Sequence, residues 1–494
     1  MTEPEERSLE LGRLKTGVQG LDEILRGGFL EGGVYIIQGS PGAGKTILAN
    51  EICFRHAEGG GRAAYVTLLA EMHTRLLQHL RPMAFFNEAV IPDSLYFISA
   101  FRTLEDSGLK GLIDVLRREI KGQRADLLVI DGLVAAQESA PNDREFKKFI
   151  HELQAHAAAS GCTVLLLTSG RLRAVSAEHT MVDGVLELED QLFEFRTERS
   201  LLVHKFRGGP YLRGRHAFRI TSAGVKFFPR LEAEYANASH RDVLSEAKIN
   251  VGVGQLNEML NGGLPCGTST GLIGPSGVGK TTLGLHFLSA ASAREPGLLF
   301  GFFETPERLC QKARSLGLEV APAVSRGDVE LLWQPQRENV LDELAHRLLE
   351  AVRRRGVKRL FIDGMGGFLE SATSPQRISR YFSCLVNELR GLGVTTLFTM
   401  EVAEIAGAVV RVPVNGVSAL LENLILMRFV ERGSKLHRAV AVHKVRDSDH
   451  DASLREFFIN SSGISLGEPF AGVEGVTTGV ARAPASVDPE AGRR

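Results

Sequence analysis

Two octapeptides in this 494-residue chain have the residue types and spacing to hold a phosphate group: Gly39-Ser40-Pro41-Gly42-Ala43-Gly44-Lys45-Thr46 and Gly274-Pro275-Ser276-Gly277-Val278-Gly279-Lys280-Thr281. Both fit the pattern G-x-x-x-x-G-K-[ST]. Glycines at these places let the backbone curl without a Cβ in the way, so successive N–H groups can point inward at an anion. The helix expected after each loop adds the positive end of its dipole. Lys45 and Lys280 are spaced to reach the β- and γ-phosphates of a nucleotide, and Thr46 and Thr281 to offer a hydroxyl to Mg²⁺. Downstream of each loop an apolar run ends in Asp-Gly, at Leu127-Leu128-Val129-Ile130-Asp131 and at Leu360-Phe361-Ile362-Asp363. A strand-terminal carboxylate can hold Mg²⁺ through its water shell. Asp-Gly also marks ordinary turns; its recurrence at matching places favours the metal-holding role for Asp131 and Asp363.

The elements that must position these residues are themselves duplicated. Residues 17–46 and 252–281 share Gly-Val, Leu-x-Glu-x-Leu, Gly-Gly and the phosphate loop at a constant offset of 235, from Gly17 to Gly252 and from Lys45 to Lys280. Duplication accounts for that simply. In the first half a strand-like run, Val34-Tyr35-Ile36-Ile37, leads into the loop, and a helix with Leu48 and Ile52 one turn apart follows. Further apolar runs are Ala64-Tyr65-Val66-Thr67-Leu68 and Val164-Leu165-Leu166-Leu167-Thr168. The second half answers with Leu298-Leu299-Phe300 and Thr396-Leu397-Phe398-Thr399. Strands alternating with helical stretches predict an α/β fold with mostly parallel sheets flanked by helices. Each half then ends in shorter alternating strands, read as an antiparallel extension. The expected boundaries are a first domain over 1–235, a second over 236–468 and a Gly-, Ala- and Pro-rich tail over 469–494.

In this order and duplicated, these residues resemble the KaiC family, ATPases built from two tandem RecA-like P-loop domains; the resemblance covers roughly residues 8–470. It implies that Lys205-Phe206-Arg207 and Lys444-Val445-Arg446 are Lys-x-Arg fingers reaching the nucleotide of a neighbouring subunit. Alternate residues of a strand share a face, so Lys205 with Arg207, and Lys444 with Arg446, can aim together. Cations supplied in this way stabilise the charge of a phosphoryl-transfer transition state. A finger in trans requires a ring, and the resemblance implies a homohexamer closed by a head-to-tail interface.

The departures from the family are as informative as the matches. The family carries two adjacent glutamates after the second strand, one of which polarises the attacking water. Here the second half has Phe302-Phe303-Glu304, with one glutamate left, and the first half has Leu68-Leu69-Ala70-Glu71, with Glu71 displaced. Either residue could instead serve as a helix N-terminal acid. Slow hydrolysis is the expectation, above all in the first half. The family's clock proteins phosphorylate an adjacent Ser-Thr pair; Ser418 matches the serine, but Ala419 replaces the threonine. A two-site phosphorylation cycle is therefore unavailable there, and Ser418 alone is left as a phosphosite candidate.

Bulk properties narrow the function further. Fifty-eight Lys and Arg against fifty-nine Asp and Glu leave a net charge of −1, which argues against a broad nucleic-acid or anionic-membrane surface. No apolar h-region opens the chain, and charges interrupt every apolar run well short of the roughly 20 residues that span a bilayer. Cys53, Cys162, Cys266, Cys310 and Cys384 are isolated in sequence, as in a cytoplasmic protein with reduced thiols. His151 and His156 are five apart and do not share a helical face, so they make no zinc motif. Arg353-Arg354-Arg355 reads as a solvated helix end. Three function classes remain: an ATPase with Mg²⁺ and ATP as cofactors, acting in signalling or timing through conformational change or self-phosphorylation; a nucleotide-gated scaffold with little turnover; and a DNA-associated motor. Neutral charge and the lack of a basic, aromatic-rich arm weigh against the last. Regulatory protein partners are expected and not identified by the sequence.

Overall fold

The computed structural model describes residues 12–70, 73–169, 181–236, 246–335, 338–402, 420–432 and 435–470. The chain divides into two compact units, Met1–Glu234 and Tyr235–Arg494. In the first unit one sheet contains β1 (Val34–Gly39), β2 (Ala63–Thr67), β3 (Leu95–Ser99), β4 (Leu127–Asp131), β5 (Thr163–Thr168), β6 (Gly184–Phe193), β7 (Arg196–Phe206), β8 (Arg215–Thr221) and β9 (Gly224–Phe228). Its spatial order is β3-β2-β4-β5-β1-β6-β7-β8-β9. In the second unit β10 (Ser269–Gly274), β11 (Gly297–Gly301), β12 (Val329–Trp333), β13 (Arg359–Asp363), β14 (Thr395–Glu401), β15 (Asn423–Arg432), β16 (Lys435–Val445), β17 (Arg455–Asn460) and β18 (Gly463–Pro469) follow the same order, β12-β11-β13-β14-β10-β15-β16-β17-β18. Identical nine-stranded topologies are the structural form of the sequence repeat.

From β3 to β6, and from β12 to β15, every neighbour pairs in parallel. The central strands are continuous apolar runs because both faces are covered. Period two splits each strand between two cores: Tyr35 and Ile37 pack with Leu48, Ile52 and Tyr65, whereas Val34 and Ile36 pack on the other face with Ile130, Leu116 and Phe149. The last three strands of each sheet are antiparallel, as expected. The expected shortness does not hold throughout: β6 and β7, paired antiparallel with each other, span 10 and 11 residues. Half of each projects past the parallel core as a two-stranded ribbon, and the period-two pattern fades there, with Leu192 and Phe195 exposed.

Helix α1 (Lys45–Glu58) follows the loop after β1, and α2 (Lys280–Ser289) follows the loop after β10. Helices α3 (Pro306–Ser315) and α4 (Leu341–Arg355) lie further along the second unit. The three arginines at the end of α4 form a helix terminus, capped by Gly356 at φ 60°. They are not simply solvated. Arg353 pairs with Glu388, Arg354 with Glu330, and Arg355 with both Glu330 and the Gly327 carbonyl. Among the described residues no helix is long and apolar enough to cross a membrane.

The packing of α2 on the sheet depends on one small residue. A Cβ on Gly284 would stand 2.1 Å from Cζ of Phe361, a fully buried ring on β13. The corresponding pair in the first unit is Ala49 and Val129, both fully buried. The second unit therefore uses a smaller helix residue with a larger strand residue. Gly284→Ala should destabilise this unit by about 1–3 kcal/mol through overpacking, and adding Phe361→Val should recover much of the loss. Thermal unfolding of the two variants checks this; an unchanged midpoint for the single variant would show that the helix shifts freely.

Candidate nucleotide site

Each loop turns from strand to helix at a glycine with a backbone conformation that side chains rarely adopt, Gly44 at φ 102° and Gly279 at φ 118°. The loops' first glycines are also tight: a Cβ on Gly274 would lie 2.2 Å from the Met427 carbonyl oxygen. Inside the curl, Lys45 Nζ donates to the carbonyls of Gly39 at 2.8 Å and Ser40 at 3.0 Å. Lys280 Nζ does the same to Gly274 and Pro275, both at 2.7 Å. Burial pushes both ammonium groups below their ordinary pKa, opposed by Asp131 for Lys45 and by Glu401 and Asp363 for Lys280. Each cation is thus held at the loop by carbonyls and acids, where phosphate oxygens can take it over.

The threonine and aspartate predicted to hold Mg²⁺ come together in both units. Thr46 Oγ1 donates to Asp131 Oδ2 at 3.2 Å, and Thr281 Oγ1 to Asp363 Oδ2 at 2.9 Å. A hydroxyl beside a carboxylate is the hard-oxygen donor set that Mg²⁺ takes, so these residues fit the ion. The second partner of each aspartate differs. In the first unit Tyr65, on β2, donates its hydroxyl to Asp131 Oδ2 at 2.6 Å. In the second, Thr399, on β14, donates to Asp363 Oδ1 at 2.9 Å and accepts from the Gly364 N–H at 2.7 Å. Burial raises the pKa of Asp363 and drives that of Tyr65 well above its ordinary value.

In the second unit these groups border a cavity of about 830 Å³ that is also lined by Phe303, Glu304, Lys312 and Glu401. That volume suits a nucleotide-sized ligand. Glu304 is not the acid of a helix first turn: Thr305 caps α3, accepting from the Arg308 N–H, and Glu307 occupies the first turn. The Glu304 carboxylate instead enters the cavity and pairs with Lys312, from the far part of α3. Glu71 and Ser418 lie outside the described residues.

The Lys-x-Arg residues are not brought to these loops. Lys205 pairs with Val185 near the start of β6, and Lys444 with Leu424 near the start of β15. Those starts lie beside the beginnings of β1 and β10, since Tyr35 pairs with Gly184 and Thr270 with Asn423. From Thr270 to Gly274 the strand rises about 13 Å. The cations therefore sit at the amino edge of each sheet and the phosphate loops at the carboxyl edge. Lys444 Nζ donates to the Leu421 carbonyl at 2.9 Å, and Arg207 to the Met181 carbonyl at 3.3 Å. In both units a register shift skips the residue before the lysine, His204 or His443. Bulges of this kind re-aim neighbouring side chains.

Sequence reasoning missed Tyr65, Thr399, Lys312 and Glu401. Thr399 and Glu401 could have been found from period two beyond the apolar run, once β14 was known to lie between β10 and β13. The bulge had a signal as well: Val-His-Lys-x-Arg occurs at both Val203 and Val442.

Comparison with known proteins agrees with this architecture. The family model described as ATPase: KaiC matches residues 14–232 and again residues 249–470. A circadian clock oscillator protein KaiC of Rippkaea orientalis is 24% identical over 480 residues, covering 94% of this chain and 91% of that protein. Circadian clock protein KaiC2 of a Synechocystis strain is 25% identical over 492 residues, covering 96% and 85%. The oscillator protein KaiC of Synechococcus elongatus is 22% identical over 494 residues, covering 97% and 94%. Two family matches over most of the chain, on two sheets of one RecA-like strand order with a phosphate loop at the same place in each, make this chain a member of the KaiC ATPase family.

Proposed function

We propose that the protein binds Mg·ATP at both phosphate loops and hydrolyses it slowly in the second unit, within a ring whose subunits complete one another's sites. The observation that carries this is the convergence of Lys280, Thr281, Asp363 and Glu304 on one cavity. Bound Mg²⁺, held by Thr281 and Asp363, would draw charge from the phosphate oxygens. The loop backbone and Lys280 would hold the β- and γ-phosphates, and Glu304, once released from Lys312, would orient water. Lys444 and Arg446 stand at the edge of the sheet away from their own loop, so the nucleotide they serve belongs to a neighbour. The family resemblance implies a hexamer, and the position of Lys444 and Arg446 away from their own loop supports a contact between subunits. The protein's output is signalling or timing through conformational change; the relatives named above are clock proteins, and this chain's role is proposed by analogy with them.

A nucleotide-gated scaffold is the second reading, favoured by the Glu304–Lys312 pair, which occupies the one carboxylate left of the family's pair. Turnover of γ-labelled ATP separates the two. In the hydrolytic reading phosphate is released slowly, and Glu304→Gln abolishes the release; tight binding with neither release nor label supports the scaffold. Label on the protein that Ser418→Ala removes would add single-site self-phosphorylation.

Lys280→Ala should weaken ATP binding in the second unit by at least about tenfold, the loss of one charge-assisted phosphate contact. Titration with a fluorescent ATP analogue in a Lys45→Ala background reads that unit alone, and an unchanged affinity would remove Lys280 from the site. The trans finger makes a separate prediction. Arg446→Ala and Lys280→Ala subunits, each inactive alone, should regain part of their turnover when mixed, because a mixed ring contains some interfaces with both residues intact. If mixing restores nothing while light scattering shows that mixed rings form, Arg446 does not act across subunits.

A further inference from the structure

The second unit's cavity contains a carboxylate that neither the phosphate loop nor the Asp-ended strand accounts for. Strand β14 runs between β10 and β13, and Glu401, its last residue, is in register with Gly274, the first residue of the phosphate loop. Two residues earlier Thr399 donates to Asp363, which fixes that face of β14 toward the site. Residues 399 and 401 share a face, while Met400 between them is fully buried on the other. Glu401 is exposed and lines the cavity with Lys280, Thr281 and Glu304.

Three contrasts set it apart. Glu304 is engaged by Lys312, whereas Glu401 has no hydrogen-bond or ion-pair partner among the described residues. Glu401 is the foremost charge opposing the effect of burial on Lys280. The residue beside Glu304 is Phe303, 57% exposed, so that position supplies no second acid. In the first unit the register of β5 with β1 brings Ser169 to the place of Glu401, a neutral side chain.

A carboxylate lining the same cavity as Lys280 repels a bound triphosphate, and as a base it can accept a proton from a water there. We propose that Glu401 is the proton acceptor of the second unit, taking up from β14 a proton of the water that Glu304 orients toward the γ-phosphate. This rests on the hydrolytic reading given above. The water oxygen bonds to the γ-phosphorus as the bond to the β–γ bridging oxygen breaks. ADP departs with that electron pair, and the water proton passes through the Glu401 carboxylate to the released phosphate. The first unit, with Ser169, binds nucleotide and turns it over more slowly.

Glu401→Gln keeps the size of the side chain and removes its charge. Turnover by the full-length protein should fall about 10- to 100-fold, toward the lower end of what a positioned base contributes. ATP affinity, measured by calorimetry, should rise severalfold while ADP affinity stays level, because the lost repulsion is with the γ-phosphate. Turnover within about twofold of wild type overturns the role of Glu401 alone. Loss that is recovered by raising Mg²⁺ also overturns it, since the carboxylate would then be holding the ion. A wild-type protein that binds ATP and releases no phosphate overturns the hydrolytic reading, and this role with it.

Discussion

In each unit, a hydroxyl at the first turn of a helix meets a carboxylate more than eighty residues further along the chain. Thr281 and Asp363 come within 2.9 Å because parallel strands leave the sheet at one edge. The phosphate loop follows β10 at that edge, and β13 delivers its last residue there, with β14 between them. Parallel pairing forces the crossover helices onto the faces of the sheet. The edge itself stays open, with strand ends and a helix N-terminus converging on it. Lys280, Thr281, Asp363, Glu304 and Glu401 all line the cavity at this edge.

The two units keep that frame and vary what surrounds it. Asp131 is braced by a tyrosine from β2, Asp363 by a threonine from β14. Tyr65 uses the space of a large ring to reach its carboxylate, and Leu299 stands at the corresponding place of β11. Around α2, Gly284 and Phe361 exchange volume relative to Ala49 and Val129, so each core remains filled. The variable positions lie in the layer around the Thr–Asp pair, where they can change chemistry without moving the loop. This is the pattern expected of a duplicated domain whose copies have taken separate tasks.

Much of the fold was legible in the sequence because its strongest signals are local. A buried parallel strand is a short apolar run, and a phosphate loop is a contiguous octapeptide. Val34–Gly39, Leu127–Asp131 and Arg359–Asp363 are strands where the apolar runs predicted them. The candidate site was legible only where its residues follow those elements directly. Lys312 reaches back from α3 to Glu304, which precedes that helix, a contact eight residues apart that no single-element pattern marks. Glu401 reaches the loop across a strand order in which chain neighbours are not spatial neighbours. Nothing in the residues around Glu401 distinguishes it from an ordinary solvated strand end; its meaning comes from the register with Gly274.

The same sheet that gathers the site also excludes part of it. β16 runs antiparallel to β15, so its end, with Lys444 and Arg446, returns to the amino edge. No rotamer of a lysine or arginine spans the strand length back to its own loop, since either side chain is well short of the roughly 13 Å of strand between. In the proposed ring, a cation pair that the fold keeps from its own loop would be used where another copy presents a carboxyl edge to it. That makes the contact heterologous, one edge against the opposite edge, and heterologous contacts close into rings or run on as filaments. In the proposed ring the subunit number would be set by the angle at that contact rather than by the nucleotide site itself.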